Sequence, residues 1–238
     1  GDDVTLVSYK LIPVNLKTKK DGQLSLIQPE IVKDKALYDF LLPYQKKGEG
    51  KILLPIAKVN GRLEGDRSDV RMRQTNLGQL IVAAQMSQVD ADFGVISSGG
   101  IRSSIEAGDV NYKNVLAVHP FKNRLMYVDM SGKDIEKYLS VVAGFPNDSG
   151  AYAQLHGVTL KMIEGKATDI KIQNKPLDYS KTYRFSINSY NAAGGDGYPK
   201  LKDYAGFVGT NYIDSEVLRD FLIKNSPINA SDYLPHLN

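Results

Sequence analysis

The 238 residues contain no cysteine, which excludes disulfides, thiolate nucleophiles and zinc–thiolate sites together and leaves the redox compartment open. Histidine is nearly as scarce. His119, His156 and His236 stand far apart and match no HExxH or other paired-ligand spacing, so a dedicated transition-metal site is not expected. No stretch is long and apolar enough to span a bilayer. The opening residues GDDVTLVSY have neither the basic start nor the apolar run of a signal peptide, so the expectation is a removed leader or an internal fragment. A dominant charge sign is missing too: 30 Lys plus Arg face 27 Asp plus Glu, a formal net charge of +3. The basic tracts, such as the one at Lys17 to Lys20, are short and interleaved with acids, which argues against a nucleic-acid stripe. There is no short-period repeat and no low-complexity tract.

What is present reads as a globular protein. Hydrophobic residues make up 42% and charged residues 24%, enough for one large domain, or one domain plus a segment of a neighbour. Apolar and polar residues alternate over Val4 to Val14 and again over Leu24 to Ile27, with a turn expected at Lys17 to Gly22; together they predict a β-hairpin. Leu37, Phe40, Leu41 and Tyr44 fall at helical spacing, and a break is expected at Lys46 to Gly50. A strand is expected over Ile52, Leu54 and Ile56. A helix with Leu77, Leu80, Ile81 and Ala84 on one face follows, capped by Thr75 or Asn76. Further strands are expected at Phe93 to Ile96, Leu125 to Met130, Val158 to Met162, Ile170 to Ile172 and Tyr183 to Asn188. Helices are expected around Ile135, Leu139 and Val142 and around Val217, Leu218, Phe221 and Leu222. Strands and helices do not alternate strictly, so mixed sheets flanked by helices fit better than a doubly wound parallel sheet.

Three groups of residues could carry chemistry. Arg67 and Arg71, four apart in GDRSDVR, and Arg102, just after Ser-Gly-Gly-Ile, offer planar guanidinium forks that suit phosphate oxygens. Each read alone also fits a solvated surface charge. In His-Pro-Phe-Lys-Asn, Phe121 can be presented as a stacking surface, and Asn123 offers a donor and an acceptor to a base edge. A buried ring and a turn asparagine fit the same residues. The glycine-rich segment from Asn188 to Pro199 supplies a carboxylate at Asp196 and a ring at Tyr190. It is neither a P-loop nor a GxGxxG motif, and a long turn with a core tyrosine remains open.

The strings NLGQLIVAAQ, SSGGIRSSIEAGDVNYKNVLAVHPFKN and NSYNAAGGDGYPKL resemble the C-terminal domain of the bacterial periplasmic 5'-nucleotidases, also called UDP-sugar hydrolases, over nearly the whole chain. The resemblance implies an α+β fold, four-layer α/β/β/α with mixed sheets, preceded by an N-terminal β-hairpin and a hinge helix. Residues 1–30 would be the tail of an N-terminal metallophosphatase domain, 31–50 the hinge helix and 51–238 the substrate-binding domain. It further implies that Phe121 and Tyr190 sandwich the base, with tyrosine where the family often has phenylalanine. Asn123 would meet the base edge, Gly150 lie beside the base, Asp196 hold the ribose hydroxyls, and Arg67, Arg71 and Arg102 meet the phosphates. Two divalent metals would belong to the N-terminal domain; the family's GNHEFD-type ligand motifs are absent from this sequence, so this chain by itself is expected not to hydrolyse nucleotides. The implied partners are nucleotides or nucleosides and that N-terminal domain, in a periplasmic monomer with no membrane contact. Alternatives are a stand-alone nucleotide-binding module, and the same domain of a 2',3'-cyclic phosphodiesterase/3'-nucleotidase.

Overall fold

In the computed structural model the described residues are 5, 7–10, 17–20 and 23–235. The chain divides into two compact units, residues 1–50 and residues 51–238. In the first, β1 (Lys17–Lys20) and β2 (Gln23–Leu26) pair antiparallel, Lys17 opposite Leu26 and Lys20 opposite Gln23. A hairpin is there, but its first strand occupies the lysine-rich stretch expected as the turn. Backbone pairing outweighs the low strand preference of lysine. Of the strand expected at Val4 to Val14, the described residues 5 and 7–10 are not in a strand, and the others lie outside the described residues.

Helix α1 (Lys35–Ile52) starts where the Asp34 carboxylate accepts the Leu37 N–H at 2.9 Å, as an N-terminal cap does. It does not break at Lys46 to Gly50. Glycine costs a helix only about 1 kcal/mol relative to alanine, and the Gln45 side chain bonds that of Glu49 one turn on, at 3.0 Å. Leu37, Phe40, Leu41 and Tyr44 share the exposed apolar stripe.

The second unit begins with β3 (Pro55–Asn60), later than expected because α1 takes Ile52. There follow α2 (Arg67–Val70), α3 (Asn76–Val89), β4 (Phe93–Ser97), β5 (Gly108–Asn111), α4 (Tyr112–Val118), β6 (Arg124–Ser131) and α5 (Gly132–Val142). The remainder is β7 (Ala153–His156), β8 (Val158–Ile163), β9 (Lys166–Ile172), β10 (Lys175–Pro176), β11 (Thr182–Asn188), α6 (Ser189–Ala192), β12 (Phe207–Ile213), α7 (Asp214–Asn225) and β13 (Ile228–Asn229).

Two of the sheets are mixed, as expected. The central one has the order β12-β6-β11-β4-β7, with β11 parallel to β4 and the other pairs antiparallel. A second, β13-β3-β5, has one parallel pair, and a third, β10-β9-β8, is antiparallel. Strand β4 is buried along its whole length, and its two-residue period divides the core. Phe93 and Val95 point into the cluster with Ile135, Tyr138 and Leu139 of α5, whereas Ile96 joins Leu77, Leu80 and Ile81 of α3. Helices thus cover both faces, giving the layered α/β arrangement.

Glutamine side chains tie β7 to α3 and the segment that leads into it. Gln154 of β7, fully buried, accepts the Thr75 N–H at 2.9 Å and donates to the carbonyls of Val70 and Arg73, each at 2.7 Å. It therefore ties the end of α2 to the start of α3, where the Thr75 hydroxyl caps the helix through Gly78 N at 3.1 Å. At the outer side of β7, Gln74 accepts from Leu155 N at 2.8 Å and donates to Ala153 O at 2.7 Å, and Gln79 donates to Leu155 O at 2.6 Å.

Candidate binding site

Strand ends and the turns that follow them bring the expected residues onto this second unit. After β4 the chain turns through Ser98, Gly99 and Gly100. Gly99 N–H donates to Gly150 O at 2.8 Å, and Ser98 Oγ donates to Ser149 O at 3.0 Å, so the two loops lie against each other. A Cβ on Gly99 would stand 3.1 Å from Gly150 O and 3.4 Å from Asp196 Oδ2; one on Gly150 would stand 3.7 Å from the Arg71 guanidinium. Arg71, Gly99, Gly150 and Asp196 therefore border one small region, where backbone comes close because side chains are missing.

The arginines share a field. Arg71 is held below the ordinary arginine range, first by burial and then by the positive charges of Arg67 and Arg102, with Asp148 and Asp196 acting in the opposite direction. Mutually repelling guanidinium groups around glycines are relieved by an anion. Arg102 also donates to Gly99 O at 3.3 Å, and its guanidinium lies 5.7 Å from the Phe121 ring centroid. That places an arginine next to the exposed ring expected to stack.

Both candidate rings are accessible: Phe121 is 55% and Tyr190 48% exposed. Phe121 follows Pro120 in a tight turn in which Lys122 has a φ of 55°. Tyr190 sits on α6, whose first turn is capped by Asn188 through Asn191 N at 2.8 Å. Its ring packs on Gly195, where a Cβ would come within 2.6 Å of it. Tyr190 O–H donates to Asp196 Oδ1 at 3.1 Å, and burial together with that bond holds the phenol above its ordinary pKa. Asp196 itself adopts a φ of 57°, between Gly194 at 97° and Gly197 at 83°, which explains the glycines in this loop.

Asn123 is placed differently from the rest. Its carbonyl accepts the Asp214 N–H at 2.9 Å, at the start of α7. Beneath it, His119 is buried, with Nδ1 3.1 Å from Gly100 O.

Several supporting residues were not singled out from sequence. Asp148, whose N–H donates to Arg71 O at 3.0 Å, adjoins Gly150, and that proximity was the one signal available for it. Asn191, fully buried, accepts from Ser97 N at 3.2 Å and so joins the glycine-rich loop to the end of β4; its place in NSYNAAGG was the hint. Asp214 had none.

Among the described residues, Glu64, Asp66 and Asp69 form the one group of three carboxylates close enough to share an ion. Arg62 pairs with Glu64 and Asp66, and Arg73 with Asp69. Those charges are already met by arginines, so these residues do not fit a two-metal hydrolytic centre.

Residues 55–203 match the family model described as 5'-nucleotidase, C-terminal domain. A 5'-nucleotidase of Vibrio parahaemolyticus is 52% identical over 98% of this chain, which spans 42% of the relative. The UshA protein of Escherichia coli is 49% identical over 98% of the chain and 43% of its own length. The crystal structure of a 5'-nucleotidase precursor from Thermus thermophilus superposes with a TM-score of 0.71 at 29% identity, over 87% of this chain and 46% of that one. The chain spans less than half the length of each of these relatives, and it belongs to the 5'-nucleotidase C-terminal domain family.

Proposed function

We propose that this chain is the nucleotide-recognition part of a periplasmic 5'-nucleotidase that hydrolyses nucleoside 5'-phosphates, and nucleotide sugars as well. The observation that carries the proposal is the electrostatic grouping of Arg67, Arg71 and Arg102 around the Gly99–Gly150 contact, with the exposed Phe121 beside Arg102. The arginines would hold the phosphates, glycine backbone would allow the ligand to approach, and Asp196 would accept from the ribose hydroxyls. Phe121 and Tyr190 would stack the base, each aromatic contact contributing about 1–3 kcal/mol with little regard to base identity. Arginine donors that already face the phosphoryl group also stabilise charge that develops on it during transfer.

Two divalent metals in a partner domain would supply the activated water in the whole enzyme. This chain's part is to bind and orient, as a monomer joined to that domain through α1. Calorimetric titration with adenosine, AMP and ATP, alongside an assay of metal-dependent phosphate release, tests the reading. One-site binding that Phe121→Ala and Tyr190→Ala each weaken by roughly 5- to 100-fold, without phosphate release, is the expected result. Unchanged affinity in the double variant would overturn the stacking assignment, and phosphate release by pure chain would overturn the division of labour.

A further inference from the structure

The Tyr190 ring lies so close to Gly195 that a Cβ there would fall 2.6 Å from ring carbons Cε1 and Cζ. Glycine at 195 lets the phenol reach across the loop, and its O–H donates to Asp196 Oδ1 at 3.1 Å. This is the hydrogen bond that the Asp196 carboxylate makes among the described residues. Burial first and this bond second hold the phenol above its ordinary pKa, so it is a donor at neutral pH.

The other carboxylate oxygen faces a different neighbour. Asp196 Oδ2 stands 3.4 Å from the place a Cβ on Gly99 would take, and Gly99 is the residue that bonds Gly150 O at 2.8 Å. With Oδ1 engaged by the phenol, Oδ2 is left toward the glycine contact, ready to accept. Ring, hydroxyl and carboxylate thus follow one another in the order of base and sugar in a nucleoside. A carboxylate already fixed by a charge-assisted bond loses less rotamer freedom when it takes a ligand's hydroxyls than one free to turn.

On the reading above that Asp196 accepts from the ribose hydroxyls, we propose that Tyr190 is a specificity-determining residue as well as a stacking ring. Its hydroxyl orients the Asp196 carboxylate and so makes the site select sugars that carry the 2'- and 3'-hydroxyls over deoxy sugars.

Calorimetry with adenosine and with 2',3'-dideoxyadenosine, which lacks both of those hydroxyls, reads this selectivity as a ratio of affinities. Wild-type chain is expected to bind adenosine about tenfold or more tightly, as a hydrogen-bonding site does against an analogue without the donor. Tyr190→Phe keeps the ring and removes the hydroxyl; its ratio is expected to fall to about threefold or less, with the loss on adenosine. Asp196→Gly removes the carboxylate and suits the left-handed backbone at this position. Its ratio is expected to be about one.

A ratio that Asp196→Gly leaves at the wild-type value overturns the assignment of the ribose to Asp196, and the proposal with it. A ratio that Asp196→Gly abolishes but Tyr190→Phe preserves overturns the role of the hydroxyl alone. Equal weakening of both nucleosides by Tyr190→Phe would mean that the hydroxyl holds the ring and not the carboxylate, and that result overturns the proposal as well.

Discussion

At the scale of single residues, the proposed site would separate charge recognition from ring recognition. Arg71 is half-buried among Arg67, Arg102, Asp148 and Asp196, whereas Phe121 and Tyr190 stand open to solvent. Replacing Arg71 should therefore affect only ligands that carry phosphate. Arg71→Ala is expected to weaken AMP by roughly 10- to 100-fold, the worth of a charge-assisted hydrogen bond, and to leave adenosine unchanged; calorimetry on the two ligands checks this. These residues can be singled out as candidates because each lies in a short string whose composition suggests the chemistry: arginine near glycine, a ring after proline, a carboxylate among glycines. The burial of Asp214 cannot be read this way, because nothing around it in DSEVLRD distinguishes a buried carboxylate from an acidic first turn of a surface helix.

At the scale of elements, legibility followed local periodicity. Helix α3 was readable from its apolar face and from Thr75, and β4, β6 and β11 from apolar runs of strand length. Strand β12 was missed because it has no buried residue along its length, so no alternation marks it. Helix α1 runs past its expected end because an exposed helix tolerates glycine at modest cost. Long-range polar ties were beyond reach of any window: Gln154 serves the carbonyl of Val70, 84 residues away. Gln154→Ala would leave one buried N–H and two carbonyls unpaired, and is expected to cost about 3 kcal/mol or more in urea unfolding. Because the same amide positions the turn bearing Arg71, AMP affinity should fall in the fraction that remains folded.

For the molecule as a whole, buried ionisable groups set the response to pH. Burial holds His119 below its ordinary 6.5. The unfolded chain therefore takes up a proton before the native one does, and stability is lost as pH falls below about 6.5 until the native imidazole also titrates. Asp214 works in the opposite sense. Burial raises its pKa above the ordinary 3.8, so its contribution is present below that value and is lost as pH rises through the raised one. Thermal melts between pH 8 and pH 5 should show a decline toward acid, and His119→Gln should flatten the part that begins near 6.5; an equally steep decline in that variant would place the cause elsewhere.

The outer side of β7 has a further consequence. A terminal strand with free amides and carbonyls is a template on which a second polypeptide can add itself and begin a growing ribbon. Here Gln74 and Gln79 already occupy the Leu155 N–H and the carbonyls of Ala153 and Leu155. Two side chains thus imitate a neighbouring strand, and this border of the sheet is closed to recruitment at the cost of two glutamines.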